Sequence, residues 1–526
     1  MLFAEQPGTC AGILEIVTAA PELTVQDALW LTMDRPNNLM VIDSLLWFDE
    51  EVPVEDVREV IDERLVARFP VFSCCAVPDG SGWRWEPCED FDLADHVVGV
   101  DLPEPAGPAE LRAWIGEQRS TPLDRDLPLW VAYVVQNLRT ADGDAGGAIL
   151  LRTHHALADG VRLTQVLLSL CDIDSAPVAV GRSLPSSPGV LGTAAAVGRA
   201  VGSGVKDAAG ATARTSASAV SKVATAAASA PEWFLGSGPI TAIPSSVGSL
   251  VQRSVRLLTR PERMLDVADA ISTEENALVN DVASTAKLLI TPPTVGTVWS
   301  GVPGEQKASA FTSGLSLADA KAIGKATGTT INEVLLGAVS GALTRYLRDH
   351  GDDEIDEVIW MVPVSVRPFD PTTASSLGNH FSLVELRMPI GVDDVAERLQ
   401  EMHHRMERIK NSHEPLLTYG VQLLIASSPK PVAFGLTNFF ANKAVGVLTN
   451  VPGPREPVYL AGHEVAGILG WAPCSGDQVM TVCIFSYNGK VSVGFGTDAT
   501  LIPDSDVLGD LLAEEFEPMR TAVLGS

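Results

Sequence analysis

"LRTHHALADGVRL" (residues 151–163) sets two of the chain's nine histidines side by side, with Asp159 and Gly160 four and five residues after the second. The residues leading into it alternate. Ile149, Leu151 and Thr153 fall on one side, and Leu150, Arg152 and His154 on the other. A period of two is the strand signature and sends neighbouring side chains to opposite faces. A strand is therefore predicted over 146–155, with His154 and His155 pointing opposite ways, so that only one can face a given cavity. "DGVRLTQVLLSLC" (159–171) then reads as a helix, with Asp159 as its N-cap. Gly160 at the corner permits close approach. An imidazole fixed at the end of a rigid strand suits general-base work, because its ordinary pKa near 6.5 leaves it largely neutral at pH 7. Two structural histidines, one buried and one exposed, is the plainer reading of the bare pair. No HEXXH spacing and no third ligand stand out, so no metal site is expected. No GxSxG elbow appears either, which argues against a serine hydrolase.

Working outward, "MVIDSLLWF" (40–48) and "LWVAYVVQNL" (129–138) read as strands. "PVEDVREVIDERLVARFP" (53–70) reads as an amphipathic helix, with Val57, Val60, Ile61, Leu65 and Val66 near helical spacing. Past residue 308 the same mixture returns. Ser316 and Asp319 approach a capping box, and Thr330 and Glu333 form another ahead of "INEVLLGAVSGALTRYL". "EVIWMVPVSVRP" (357–368) is a continuous apolar run closed by proline, as in a buried strand. "VCIFSYNGKVSVGFG" (482–496) is a hairpin turning on Asn488-Gly489. "PDSDVLGDLLAEEF" (503–516) closes with a helix. The pattern is α/β in two halves.

Between the halves, residues 181–264 are nearly all Ala, Ser, Gly, Thr and Val. They carry nine basic against three acidic side chains, a net of +6 within a chain of −29. The segment reads as an interdomain linker with loose helices or as a basic lipid-surface segment. In the second case "SLVQRSVRLLTRPERML" (249–265) is the anchor, assisted by Trp233-Phe234-Leu235. At 526 residues and 46% hydrophobic content the chain exceeds one ordinary core, and two domains are expected. Its acidity argues against nucleic acid, whose phosphates it would repel. The seven cysteines include no CxxC, and Cys74-Cys75 are adjacent, so neither a disulfide nor zinc is expected and a reducing compartment is. The N-terminus lacks the basic and apolar regions of a signal peptide. No apolar run approaches the roughly 18 to 20 residues of a spanning helix. A cytoplasmic protein, peripheral to any membrane it meets, is the expectation.

"HHALADG" (154–160) is similar to the HHxxxDG signature of the CoA-dependent acyltransferase superfamily, which includes chloramphenicol acetyltransferase and the condensation domains of peptide synthetases. The other blocks narrow the resemblance to bacterial wax ester synthase/diacylglycerol acyltransferases. "DALWLTMDRPNNLM" (27–40) resembles their first block and "LDRDLPLW" (123–130) their PLW element. "TTINEVLLGAVSGAL" resembles their ND motif, "MVPVSVRP" their PVSVR strand and "LGNHFS" (377–382) their LGN turn. "LTNVPGPREPVYLAG" and "SYNGKVSVGFGTDATLIPD" match their C-terminal blocks. The likeness runs in order through residues 24–175 and 308–520. Three departures stand out: the ND motif reads Asn332-Glu333, Glu305-Gln306-Lys307 replaces the paired arginines the family often carries there, and the stretch 181–264 is longer and more Ala-rich than the resemblance leads one to expect.

The resemblance implies two chloramphenicol-acetyltransferase-like domains, residues 1–180 and 301–526, with a tunnel between them. An Ala-rich helical linker over 181–300 would join them. It implies acyl-CoA as co-substrate with no cofactor, diacylglycerol as acceptor, and a peripheral membrane or lipid-inclusion surface as the place of work. By analogy His155 removes the acceptor's hydroxyl proton, with His154 the other histidine of the motif. Asp159 is structural, with Arg367 as candidate partner, and Gly160 makes the tight turn. Asn332, in the first turn of its helix, is a candidate oxyanion donor or an ordinary first-turn residue. Pro128, Leu129 and Trp130 shape a substrate channel or pack the core. Ser365 lines the site or fills its strand, and Asn379 lines the site or makes a turn. Wax ester synthesis from a fatty alcohol differs only in the acceptor. A condensation-type enzyme on carrier-protein thioesters and a degenerate lipid-storage scaffold are the other readings.

Overall fold

The computed structural model describes residues 23–80, 82–173, 296–365, 377–379, 381–410, 418, 422, 425–426 and 430–525. The Ala-rich segment 181–264, the 249–265 anchor, Trp233-Phe234-Leu235 and Arg367 lie outside the described residues. The strands in chain order are β1 (Val41–Phe48), β2 (Cys74–Asp79), β3 (Gly82–Pro87), β4 (Val97–Val100), β5 (Trp130–Val135) and β6 (Gly147–His154). They continue with β7 (Lys307–Ser316), β8 (Glu357–Ser365), β9 (Phe381–Pro389), β10 (Gly446–Pro452) and the short pair β11 (Tyr459–Leu460) and β12 (His463–Glu464). β13 (Gly467–Trp471), β14 (Met480–Tyr487) and β15 (Lys490–Asp498) complete them. Among the described residues they form two large sheets, ordered β13-β1-β6-β5-β4 and β7-β15-β14-β10-β8-β9, and two two-stranded sheets, β2-β3 and β11-β12.

The strand that ends in the histidine pair sits in the middle of the first sheet, and all of its residues are buried. Its pairing with β1 on one side and β5 on the other is antiparallel and unbroken, so its end is a fixed point. α1 (Val25–Met33), with a Thr24–Asp27 capping box, carries Trp30 and Met33 into the same core. α2 (Val54–Ile61) buries Val57, Val60 and Ile61 as its spacing predicts. The helix expected over 53–70 does not continue as α-helix. It widens to a π turn at Asp62–Val66 before the 3₁₀ turn that Pro70 opens.

α3 (Leu93–His96), α4 (Pro108–Ser120) and α5 (Gly160–Ser169) complete the N-terminal half. In the C-terminal half, α6 (Leu317–Thr327) and α7 (Ile331–Asp349) start at the Ser316 and Thr330 caps read from sequence. They pack with α8 (Val395–Lys410) and α10 (Asp506–Leu524) on the second core, and α9 (Lys430–Ala441) lies between α8 and β10 in sequence. Asn488 and Gly489 both take positive φ, 46° and 76°, as the β14–β15 turn requires. Among the described residues no helix is long and apolar enough to cross a membrane.

Two sequence expectations are corrected. The division at residue 301 is crossed, because β13 leaves the C-terminal half and pairs antiparallel with β1 as an edge of the N-terminal sheet. Gly467 allows this: a Cβ there would lie 1.9 Å from the Trp47 ring, so only glycine lets the two backbones approach. The second correction is a disulfide, Cys75–Cys88, with Cα atoms 5.5 Å apart. The β2–β3 register places Cys75 opposite Glu86 and brings Cys88 round beside it. Adjacency to Cys74 was irrelevant, since the pairing is made across the hairpin, and the buried Cys74 thiol instead meets the Pro70 carbonyl.

Candidate active site

His155 follows the last residue of β6 and is held on both sides of its backbone. Its N–H donates to the Met40 carbonyl at 2.7 Å, and its own carbonyl accepts from Asn379 Nδ2 at 2.8 Å. Its ring stacks on Trp30, with centroids 4.2 Å apart, and Phe381 lies 5.5 Å away on β9. With two aromatic neighbours and 7% exposure, the ring has little room to turn. Burial pushes its pKa down to about 4, against the opposing pull of the Asp159 carboxylate and of its own backbone carbonyl. The imidazole is therefore neutral across the physiological range.

His155 opens into a cavity of ≈ 210 Å³ bounded by both halves of the chain. Trp30 and Ile42 come from the N-terminal half, Phe381, Leu383 and Val447 from the C-terminal sheet, and Trp471 from the crossing strand. The few polar groups that reach this apolar space include Gln26, Asp159, Asn450 and Glu385. The cavity lies at the junction where a tunnel was expected.

His154 points away from the cavity, as the alternation predicted. Its Nδ1 accepts the Ala156 N–H at 3.1 Å, which leaves the proton on Nε2, directed at Asp34 Oδ2 3.8 Å away. Burial pushes its pKa down, with Asp34 opposing. Asp34 also receives the Met40 N–H and Arg125, both at 2.7 Å. Burial acts to raise the Asp34 carboxyl, but His154, the Met40 N–H and Arg125 outweigh it and hold it below the usual carboxylate range. His154 thus belongs to the support of the strand end.

Asp159 caps α5 as its position predicted, accepting the Arg162 N–H on Oδ1 at 3.0 Å. Its Oδ2 pairs with Arg162 Nη1 at 2.5 Å, and both side chains are buried. Arg162 is a partner the sequence reading missed, although its i,i+3 spacing from the cap was there to be read. Gly160 also lines the cavity, but the tight-turn reason for it is corrected. Its φ is not positive, and a Cβ there would meet nothing within 4 Å. What glycine keeps there is open cavity space.

Asn379 does not line the cavity. Its Nδ2 bridges the His155 carbonyl and Asp27 Oδ1, each at 2.8 Å, and its N–H adds a third bond to Asp27 at 3.0 Å. Asp27 in turn receives the Thr24 N–H and hydroxyl. Gly378, with φ 98°, accepts the Asp159 N–H, so the 377–379 turn is laid directly along the motif. Asp27 is a supporting residue the sequence did not single out.

The remaining candidates are redistributed. Pro128, Leu129 and Trp130 are buried in the N-terminal half, away from the cavity wall. The Leu129 carbonyl accepts the His154 N–H, and Trp130 donates Nε1 to the Phe72 carbonyl and stacks on His96. They pack the strand that carries the histidines, the core-packing alternative of the two their sequence left open. Ser365 ends β8 opposite Phe381. Asn332 stands in the first turn of α7, but its Oδ1 accepts from Asn450 Nδ2 at 2.5 Å. Asn450 lines the cavity and Asn332 does not. Glu333 closes the Thr330 capping box and pairs with His403 and Lys410, fixing the start of that helix.

Two family models match the chain. The wax ester synthase/diacylglycerol acyltransferase catalytic domain covers residues 23–335, and the WS/DGAT C-terminal domain covers residues 377–520. A Mycobacterium tuberculosis protein named "Putative diacyglycerol O-acyltransferase" is 27% identical over 498 residues, 88% of this chain and 89% of its own. The O-acyltransferase WSD of Acinetobacter baylyi is 23% identical, covering 93% of this chain and 95% of that one. Among solved structures, the wax ester synthase/diacylglycerol acyltransferase of Marinobacter aquaeolei superposes with a TM-score of 0.61 at 18% identity, over 95% of this chain and 99% of that one. The likeness to that structure shows the fold, two condensation-like domains.

Proposed function

The chain belongs to the wax ester synthase/diacylglycerol acyltransferase family, and from that membership we propose that it transfers a long-chain acyl group from acyl-CoA to diacylglycerol, forming triacylglycerol. One observation carries the reading: a neutral imidazole, clamped at a strand end, opens into an apolar cavity between two halves. On this reading His155 takes the hydroxyl proton as the oxygen attacks the thioester carbonyl. The tetrahedral intermediate expels CoA thiolate, which takes the proton back from the imidazolium. One C–O bond forms and one C–S bond breaks, with no acyl-enzyme between. A base so placed contributes about 10²–10⁴ in rate.

The same burial that keeps His155 neutral disfavours the imidazolium that forms during the reaction. Asp159 is the strongest of the influences opposing burial there, so its carboxylate supports that transient charge while Arg162 keeps it in place. Asn332 acts through Asn450, whose side chain it orients at the cavity wall. Diacylglycerol is insoluble in water, so the acceptor is met at a membrane or lipid-inclusion surface.

The test uses purified protein, labelled acyl-CoA, and diacylglycerol in competition with a long-chain alcohol. Labelled triacylglycerol is expected, abolished by His155→Ala and only reduced by His154→Ala. Wax ester as the sole product would move the acceptor to fatty alcohols. No product from either would leave a lipid-storage scaffold.

A further inference from the structure

We propose that Glu385 sets the length of straight hydrocarbon that one arm of the cavity accepts, at about ten carbons from the reacting group. The inference rests on the acyltransferase reading only for where the reacting group sits, next to His155. β9 starts at Phe381, whose ring stands 5.5 Å from that of His155. Phe381, Leu383 and Glu385 follow at alternate positions of the strand, and all three line the cavity. On β8, Pro363 pairs with Leu383 and Met361 with Glu385, and both also line it. The two strands thus form an apolar trough leading from the imidazole, with a carboxylate at the fourth residue along.

Four residues of strand span about 13 Å at roughly 3.3 Å each. A staggered alkyl chain built from ~1.5 Å bonds advances about 1.25 Å per carbon, so about ten carbons reach Glu385. A second charge lies within electrostatic reach of Glu385. Lys443, 3% exposed, sits just past the end of α9 with its ammonium over the Phe439 and Phe440 rings at 4.9 and 5.6 Å. Burial lowers its pKa, and the Glu385 charge is the influence acting to keep it protonated. Methylenes pushed past this point would bury a carboxylate more deeply without offering it a hydrogen bond, which is unfavourable. Carbons beyond about the tenth gain nothing from the trough and turn towards solvent.

The chain in this arm is the tail of the acyl donor or of an alcohol acceptor, and the experiment separates them. Straight-chain alcohols of stepped length displace a fluorescent fatty probe from the full chain, and acyl-CoAs of stepped length are compared by KM with a short soluble alcohol. Each methylene should tighten binding by about fourfold until the trough is full. A break near ten carbons in the alcohol series places the acceptor there, and one in the acyl-CoA series places the donor. E385L should move the break to longer chains, and E385Q, which keeps the shape without the charge, should move it the same way by less. No break in either series for the wild-type protein overturns the proposal. So does a folded E385L, judged by circular dichroism and melting, that keeps the wild-type break. If E385L does not fold, an unchanged break in E385Q overturns it instead. A break in probe displacement without acyl transfer from any acyl-CoA would sink the functional reading and leave the length limit standing.

Discussion

Replacing Asn379 by alanine cuts two hydrogen bonds that meet at one amide, without removing any side chain from the cavity wall. The His155 carbonyl and Asp27 Oδ1 each lose a partner in a buried setting. A buried carbonyl left without its partner costs about 1–3 kcal/mol, and a hydrogen bond to a charged group is worth about 1.5–3 kcal/mol. Asp27 keeps the Asn379 N–H and both Thr24 bonds, which softens its share. A loss of roughly 2–4 kcal/mol of stability follows. The kinetic effect is separate. The Asn379 contact fixes the carbonyl next to the base, and a misplacement on the order of 1 Å near reacting groups costs about 10²-fold in rate. Guanidinium denaturation and acyl-transfer kinetics on the folded variant measure the two effects. Asp27→Asn, which keeps an acceptor oxygen, should cost less than Asp27→Ala. Stability within about 1 kcal/mol of the parent together with kcat within about twofold would refute the clamp, because both magnitudes come from the same two bonds.

Three further expectations concern the motif. His155 has a folded pKa of about 4 against an unfolded value near 6.5, so the unfolded state takes up the proton first as pH falls. Its contribution to stability is complete above about pH 6.5 and declines by about 3 kcal/mol as pH drops towards 4. Comparing unfolding of the parent and His155→Ala across that window isolates this, and kcat/KM should show no acid limb near 6.5. Asp159→Ala should cost about 3–5 kcal/mol, because it removes one charge of a buried ion pair with Arg162, and normal stability would point to a purely chemical role for the carboxylate. Gly160→Ala should fold at least as well, gaining about 0.4–1 kcal/mol, and raise KM as its methyl enters the cavity; a clear loss of stability would restore the tight-turn explanation.

Much of the scaffold is written in local pattern. The period-two alternation before the histidines located β6 and sent His154 and His155 to opposite faces. Asp159, Ser316 and Thr330 marked helix starts because capping is satisfied within three residues. Asn488-Gly489 marked its hairpin because few residues accept two successive positive φ angles. The order of blocks along the chain was enough to name the family, and the family models match on both sides of the Ala-rich segment.

What only the tertiary structure decided are relations between residues far apart in the chain, for which no local signal exists. Asp27 and Asn379 are separated by 352 positions, and each alone reads as a capping or a turn residue. Asn332 reads from its first-turn position as a catalytic donor or an ordinary helix residue, and only the fold pairs it with Asn450, which lines the cavity. The PLW residues could shape a channel or pack the core, and the packing of β5 against Phe72 and His96 puts them in the core. The Cys75–Cys88 bridge depends on a hairpin register, and the crossing of β13 on the absence of a side chain at Gly467 beside Trp47. Sequence fixes local torsions and periodicity, and with them the strands, the caps and the face each side chain takes. Which distant groups share a buried hydrogen bond or a cavity wall follows only once the two sheets have packed and desolvated them together.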